Sequence, residues 1–325
     1  MTRRIPLPRR LLLGAALAAP GLARAETGYP DRPVRLIVPF APGGGTDLAA
    51  RVIMNRVSES LGQQVVIENR GGAGGDIAML AAASAPADGY TLILGNDGAN
   101  ARGPAMREQV PYDPERAFTP VARLVDAWSA FVVHRSLPVS TMAEFVAYAR
   151  AHPGALNYGS SGQGTLAHVT VALFAHEFGL DVVHIPYRGA ALAAQDLAAG
   201  RLHFSFLTAG GLLPVLSGPT LKALGVSGPR QAAAFPGVPT MTQAGFPVLD
   251  ILTWYGVFVP AGTPSALPTL LARHMEAALA DPAIQARLEE QCLIPAFLPT
   301  EAFGSYVAQQ KAKWQEVSAR TGLRF

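Results

Sequence analysis

The 325-residue sequence has one cysteine, Cys292, which excludes an internal disulfide. That thiol is expected to be buried and inert, as a small core hydrophobe. Its seven histidines are scattered, and His176-Glu177 lacks the second histidine of H-E-x-x-H. Neither nucleotide loop is present: G-x-x-x-x-G-K-S/T and G-x-G-x-x-G are both absent. No metal and no cofactor is therefore expected. After residue 25 no apolar run approaches the roughly 20 residues that cross a bilayer. A true excess of basic charge is missing too. The whole chain has 26 basic and 23 acidic residues, but Arg3, Arg4, Arg9, Arg10 and Arg24 stand in the first 25. Without them 21 basic face 23 acidic residues, a net of −2. Nucleic acid is thus not an expected partner, nor is an anionic membrane surface.

Residues 1–25 read as a secretory signal peptide. A positive "MTRRIPLPRR" precedes a short apolar "LLLGAALAAPGLA", and Ala23-Arg24-Ala25 is a small-x-small cleavage site. A periplasmic mature chain starting at or near Glu26 is expected, by the general secretory or the twin-arginine route. The remaining 300 residues exceed what one core usually holds, so two lobes are expected.

Strand and helix patterns alternate from residue 34. "VRLIVPF" (34–40) is a nearly continuous apolar run, as in a strand buried on both faces. Leu48, Val52, Val57 and Leu61 recur at helical spacing up to Gly62. Strands at 65–67 and 90–94 with a helix at 77–85 complete a βαβαβ unit and predict a parallel sheet. After Pro120 a second α/β series follows, with strands near 130–134, 156–158, 182–186, 202–207 and 221–226. Helices are expected at 165–178 and 190–199, and the Thr141–Glu144 capping box opens another. A strand at 254–259 and three helices close the chain, the first capped by Thr263-Pro264. The expected fold class is α/β, two-lobed, each lobe a mostly parallel sheet flanked by helices. Lobe 1 comprises residues 26–122 plus 252–325 and lobe 2 residues 123–251. Two crossings make a hinge, and a hinge between two such lobes makes a cleft.

Three loops at strand ends carry the candidate chemistry. In "VPFAPGGGTDLAA" (38–50) a strand meets three glycines and a helix start. Backbone N–H groups around Pro42, Gly43, Gly44, Gly45 and Thr46, with the helix dipole, favour an anion. Asp47 either meets an ammonium group or is a first-turn acid favoured by the dipole. "NYGSSGQGTLAH" (157–168) repeats the pattern. Ser160 and Ser161 bring hydroxyls, Gly162 and Gly164 allow close approach, and Thr165 caps the helix or donates. Neither 40–50 nor 157–170 contains Lys or Arg, so neutral donors must do most of the holding. "HIPYRGA" (184–190) adds Arg188, free to pair with an anion or a surface carboxylate, and Tyr187, which with Trp254-Tyr255 suits a pocket wall. A Ser161 nucleophile with His168 as base is the enzymatic alternative. Gln163 stands where G-x-S-x-G needs glycine, and His168 either points into the cleft or packs on the sheet.

Taken in order, "YPDRPVRLIVPFAPGGGTDLAAR", "LGQQVVIENRGGAGG", "APADGYTL", "HPGALNYGSSGQGTLAH", "IPYRGAALAAQDLAAGRL", "PTMTQAGFP" and "PAGTP" resemble the substrate-binding proteins of tripartite tricarboxylate transporters, the Bug family. The resemblance implies a two-lobed flytrap that gives a small carboxylate to membrane permease subunits, without catalysis. A monomer is expected. It also implies that Gly43–Thr46 and Ser160–Thr165 cradle a carboxylate, partly through water. Asn96-Asp97 and Leu207-Thr208 would line the cleft. Many relatives carry an acid at Leu207 or Thr208, so the wall here is expected to suit an apolar or aromatic acid. A serine-dependent exported hydrolase and a sensory receptor for the same ligand class are the alternatives.

Overall fold

A computed structural model describes residues 28–325. The expected signal peptide lies outside the described residues.

The first sheet has the order β11-β4-β10-β3-β1-β2. Its strands are β1 (Val34–Val38), β2 (Val65–Asn69), β3 (Thr91–Asn96), β4 (Phe118–Ala127), β10 (Thr253–Pro260) and β11 (Leu293–Pro299). The second has the order β7-β6-β8-β5-β9. It is built from β5 (Ser129–His134), β6 (Leu156–Ser160), β7 (Val182–Pro186), β8 (Phe204–Thr208) and β9 (Leu221–Val226). The expected βαβαβ unit is present: β1 pairs in parallel with both β2 and β3. The sheets as wholes are mixed rather than mostly parallel. In the first, β10 is antiparallel to β3 and β4, and β11 to β4. In the second, β5 is antiparallel to β8 and β9. The cause is the crossing itself. The chain leaves along β4 and returns along β10, so these neighbours run in opposite directions. The sheet change falls at Trp128, beyond the boundary expected at 122/123, while the return strand starts at Thr253.

Helices α1 (Gly45–Leu61), α2 (Asp76–Ala83), α8 (Ala266–Ala280), α9 (Pro282–Glu290) and α10 (Thr300–Thr321) cover the first sheet, and α3 (Gly103–Met106) follows β3. Helices α4 (Met142–Ala151), α5 (Leu166–Phe178), α6 (Ala190–Ala198) and α7 (Ala209–Leu216) cover the second. Local chemistry sets their ends. Gly62 closes α1 with φ 73°, a left-handed conformation that favours glycine. At α4, Thr141 Oγ1 accepts the Glu144 N–H at 3.1 Å, while the Glu144 carboxylate accepts the Ser140 N–H at 2.6 Å. The expected Thr263-Pro264 start shifts: Thr263 donates to the Pro260 carbonyl at 2.7 Å, and α8 begins after Ser265, whose side chain makes no capping bond. Two strands escape the apolar pattern, β4 and β11, because Pro120, Arg123, Asp126 and Pro295 interrupt it. Apolar clusters fill both faces of each sheet. Cys292 lies in one of them, and burial pushes its thiol up to about 11. A smaller cluster of Met106, Val169, Leu173 and Trp314 ties α3 and α10 to α5 of the second lobe. No described helix is long and apolar enough to cross a membrane.

Candidate functional site: a pocket between the lobes

The cleft closes on a small pocket, with about 40 Å³ open to the centre of a water molecule. Phe40 and Gly44 of the loop after β1 and Gly45 and Thr46 of α1 line it, as do Asn96 and Arg102 from the end of β3 and beyond. Thr253 and Tyr255 of β10 add to that side. The second lobe contributes Ser161, Thr165, Leu166, Ala190 and Thr208.

Four helices begin at this pocket. Gly44 caps α1, Thr165 α5, Gly189 α6 and Thr208 α7, and none of these N-cap side chains bonds a helix N–H. At α7 the Ala209 N–H is taken by the Trp128 carbonyl at 2.8 Å, which leaves the next ones free. Thr165 instead donates to the Gly162 carbonyl at 2.6 Å. Each helix start leaves orphan donors and about half a positive charge, so four together favour a negatively charged group. Tyr255 faces the same space, and burial pushes its hydroxyl up to about 12, so it stays a neutral donor.

The glycine-loop residues differ in role. Gly43 has φ +84° and its N–H is accepted by Asp47 at 3.0 Å. Asp47 is buried and also accepts from Arg51 at 3.0 Å and Asn69 at 2.9 Å, so it shapes the loop rather than facing the pocket. Burial works to raise its carboxyl, but those donors outweigh it and hold it below the usual range. Pro42 is exposed at the rim. A Cβ on Gly44 would meet only the Ala41 carbonyl oxygen, at 3.9 Å.

On the other lobe Ser161 and Thr165 reach the pocket, and Ser160 does not. The fully buried Ser160 Oγ accepts the Gly162 N–H at 3.0 Å and lies 2.6 Å from His184 Nε2. No carboxylate orients His184 among the described residues. Gly164 donates its N–H to His168 Nδ1 at 3.0 Å, which places His168 beneath the loop. The Tyr187 hydroxyl is spent on Asp196 at 2.6 Å. Arg188 is exposed, and only its carbonyl acts at the interface, accepting the Ala41 N–H at 3.2 Å. Leu207 is buried in the core, which leaves Thr208 as the wall residue of that pair.

The lobes meet backbone to backbone. A Cβ on Gly74 would lie 2.4 Å from the Gln163 carbonyl, and one on Gly162 3.1 Å from Gly74. One on Gly71 would lie 2.9 Å from the Arg188 carbonyl, and one on Gly210 3.1 Å from the Gly45 Cα. Much of the glycine richness thus serves closure of one lobe on the other.

Sequence reasoning missed Arg102. It is the last residue of a π-helical turn at Gly98–Arg102, is 1% exposed, and lines the pocket. Its guanidinium pairs with buried Asp97, donates through Nε to the Gly164 carbonyl of the other lobe at 3.5 Å, and lies 5.0 Å from the Trp314 ring centre. Trp314 Nε1 donates to Asp97 at 3.2 Å. Burial pushes the Asp97 carboxyl up, and Arg102 and Trp314 pull it back. The one available signal was a lone arginine in the small-residue run "GANARGPAM" after a strand end.

His168 and His184 stack at 4.0 Å, with Tyr158 against His184 and Phe325 against His168. Burial lowers both imidazoles, to about 3 for His168 and about 4 for His184, with the charges of His184 and Arg102 adding to the effect on His168. The unfolded chain therefore takes up these protons first as pH falls below about 6.5. Stability present above that pH is lost on the way down, at up to about 1.4 kcal/mol per pH unit for each histidine. Urea unfolding at pH 7 and pH 5 should show this loss. A His168→Asn/His184→Gln double variant should lose markedly less; an equal loss would place the effect elsewhere.

Two α/β lobes that meet around a pocket of helix starts have the architecture of a periplasmic binding protein. The model for the tripartite tricarboxylate transporter family receptor matches residues 49–323. Protein BugT of Bordetella pertussis is 33% identical over 325 residues, covering 100% of this chain and 99% of its own. Among solved structures, R. palustris Rpa4515 with adipate is 34% identical, with TM-score 0.86, and covers 91% of this chain and 99% of its own. MatC from Rhodopseudomonas palustris with bound malate is 29% identical, with TM-score 0.83, and covers 89% of this chain and 99% of its own. The chain belongs to the tripartite tricarboxylate transporter receptor family, as its sequence motifs imply.

Proposed function

We propose that this protein captures a small organic carboxylate in the inter-lobe pocket, in the periplasm, and presents it to the membrane subunits of a tripartite transporter. The observation that carries this is the meeting of four helix starts, none bonded by its N-cap side chain, at one pocket between the lobes. Orphan N–H groups there need an acceptor, and an ionised one is bound best. The adipate and malate in its two structural relatives agree with that chemistry. Binding without catalysis is the reading favoured for this site. Ser160 is enclosed and tied into its own loop, while Ser161 in the pocket has no histidine partner.

The test is to compare acids with their primary amides by calorimetry. Succinate, malate and adipate are each set against the corresponding diamide. Each charge-assisted bond contributes about 1.5–3 kcal/mol, and two are lost when the charge is lost. The amides should bind at least about 100-fold more weakly. Amides that bind as tightly as the acids would sink the proposal.

A further inference from the structure

We infer that the first lobe holds a second ligand site, outside the cleft, for a small uncharged ring compound that carries one oxygen acceptor.

A pocket with about 270 Å³ open to the centre of a water molecule is lined by β4, β10 and α10. Phe118, Pro120, Phe258 and Val307 give it apolar walls, and the rings of Phe118 and Phe258 meet edge to face at 6.5 Å. All of its lining residues belong to the first lobe, so closure of the cleft does not build it. Gly304, the fifth residue of α10, lines it too. Glycine is a poor residue inside a helix. Nothing local requires it at this position. Its backbone is helical, and a Cβ there would meet only the Pro120 ring, at 3.6 Å. What a longer side chain would occupy is the pocket.

One polar side chain reaches in. Asn100 is 4% exposed and lines the pocket. Its Oδ1 accepts the Asn96 backbone N–H at 3.1 Å, which fixes which end of the amide is which. Nδ2, at the other end, meets no protein acceptor among the described residues, yet it is not sealed off within the protein. It is a donor on a nearly buried side chain that opens onto the pocket. Apolar walls with one placed polar group are the usual make-up of a small-molecule site.

The class of ligand follows from these groups. The amide nitrogen is a donor only, so it calls for an oxygen acceptor. Aromatic walls favour a ring packed against them edge to face or offset. Lys311 at the pocket is already paired with Glu115, so an ion finds no free counter-charge there. A cavity of about 150 Å³ already takes benzene, so one ring with a carbonyl group has room here.

Acetophenone is the probe, and toluene is a ring without the acceptor. Both are titrated into isotope-labelled protein and followed by nuclear magnetic resonance. Acetophenone should shift the signals of the Asn100 side-chain amide, Phe118, Gly304 and Val307 together, with a dissociation constant of about 10 mM or below, the range open to a ligand of its size. Toluene should move Phe118 and Val307 and leave the Asn100 amide in place. Gly304→Leu fills the pocket and suits the helix better. It should weaken acetophenone binding at least about tenfold with the melting temperature kept or raised. The wild-type titration decides by itself if that variant does not fold. No shifts at Asn100, Phe118 and Val307 up to the solubility limit of acetophenone overturn the site, as do shifts centred on Thr208 and Tyr255 of the cleft. A folded Gly304→Leu protein that binds acetophenone like wild type overturns it too. Equal movement of the Asn100 amide by both compounds overturns the acceptor-bearing class. None of these outcomes depends on whether an acid binds in the cleft.

Discussion

Gly210→Val is expected to weaken ligand binding by at least about 100-fold while both lobes stay folded. Gly210 is the second residue of α7, and a Cβ there would lie 3.1 Å from the Gly45 Cα and 3.1 Å from Leu48 Cδ1. All of these neighbours belong to the first lobe. Valine would add two methyl groups at a point where one already presses on backbone, so the lobes cannot close fully. The three atoms nearest that Cβ all belong to the first lobe, and valine is a better helix residue than glycine. The unliganded melting temperature should therefore change little. Ligand contacts from one lobe or the other are lost in a cleft held ajar, and two charge-assisted bonds already amount to about 3–6 kcal/mol. Calorimetry with whichever of succinate, malate or adipate the wild type binds gives the affinity. Small-angle scattering should show compaction for the wild type and none for the variant. Unchanged affinity would mean that closure does not bring Gly210 against Gly45.

The three glycines of 43–45 show how far a sequence can be read. The strand, loop and helix start around them were legible, because an apolar run ends there and a helical period begins. Their separate reasons were not. Gly43 needs positive φ, Gly45 must pass Thr208 Oγ1 and Tyr255 Oη, at 3.3 and 3.1 Å from its Cβ position, and Gly44 has room around it. The reason at Gly45 depends on where the other lobe and β10 lie, which no local pattern records. Ser161 and Thr165 were legible as pocket residues because each stands where a strand turns into a helix, whereas Thr208 came only from the family resemblance. His168 and Tyr187 stand in the same loops and face elsewhere, since rotamer and neighbour decide the direction of a side chain.

Charge was legible in the loops and not in the pocket. Both loops do lack Lys and Arg, and Arg188 sits outside on the surface. The cation arrives from a third segment, through a π-helical turn that shifts Arg102 into register with the cleft. Such turns often mark functional positions, and hydrophobic periodicity does not reveal them. The mixed sheets were missed for a related reason. Antiparallel neighbours arise from two crossings of the whole chain, whereas the βαβ signal is local.

Asp97→Asn should lower the stability of the unliganded protein by about 3 kcal/mol and at the same time enlarge the stabilisation by ligand. Asp97 is 2% exposed and is the carboxylate that pairs with Arg102. Asparagine keeps the volume and an acceptor for Trp314 Nε1, so packing is preserved. What goes is the negative charge, and an unpaired guanidinium stays buried. Removing one member of a buried pair costs about 3–5 kcal/mol for this reason, and the retained acceptor puts the change at the lower end. The same change alters the pocket, because Arg102 lines it. With Asp97 neutral, its positive charge is no longer offset, and a bound carboxylate becomes the counter-ion. Urea unfolding without ligand should show the loss. Thermal unfolding with a saturating amount of the acid that wild type binds should show a larger upward shift in the variant than in wild type. A purely structural role for the pair would give the loss of stability with an unchanged or smaller ligand shift. That outcome would separate Arg102 from ligand binding and leave it as a clasp on Gly164 alone.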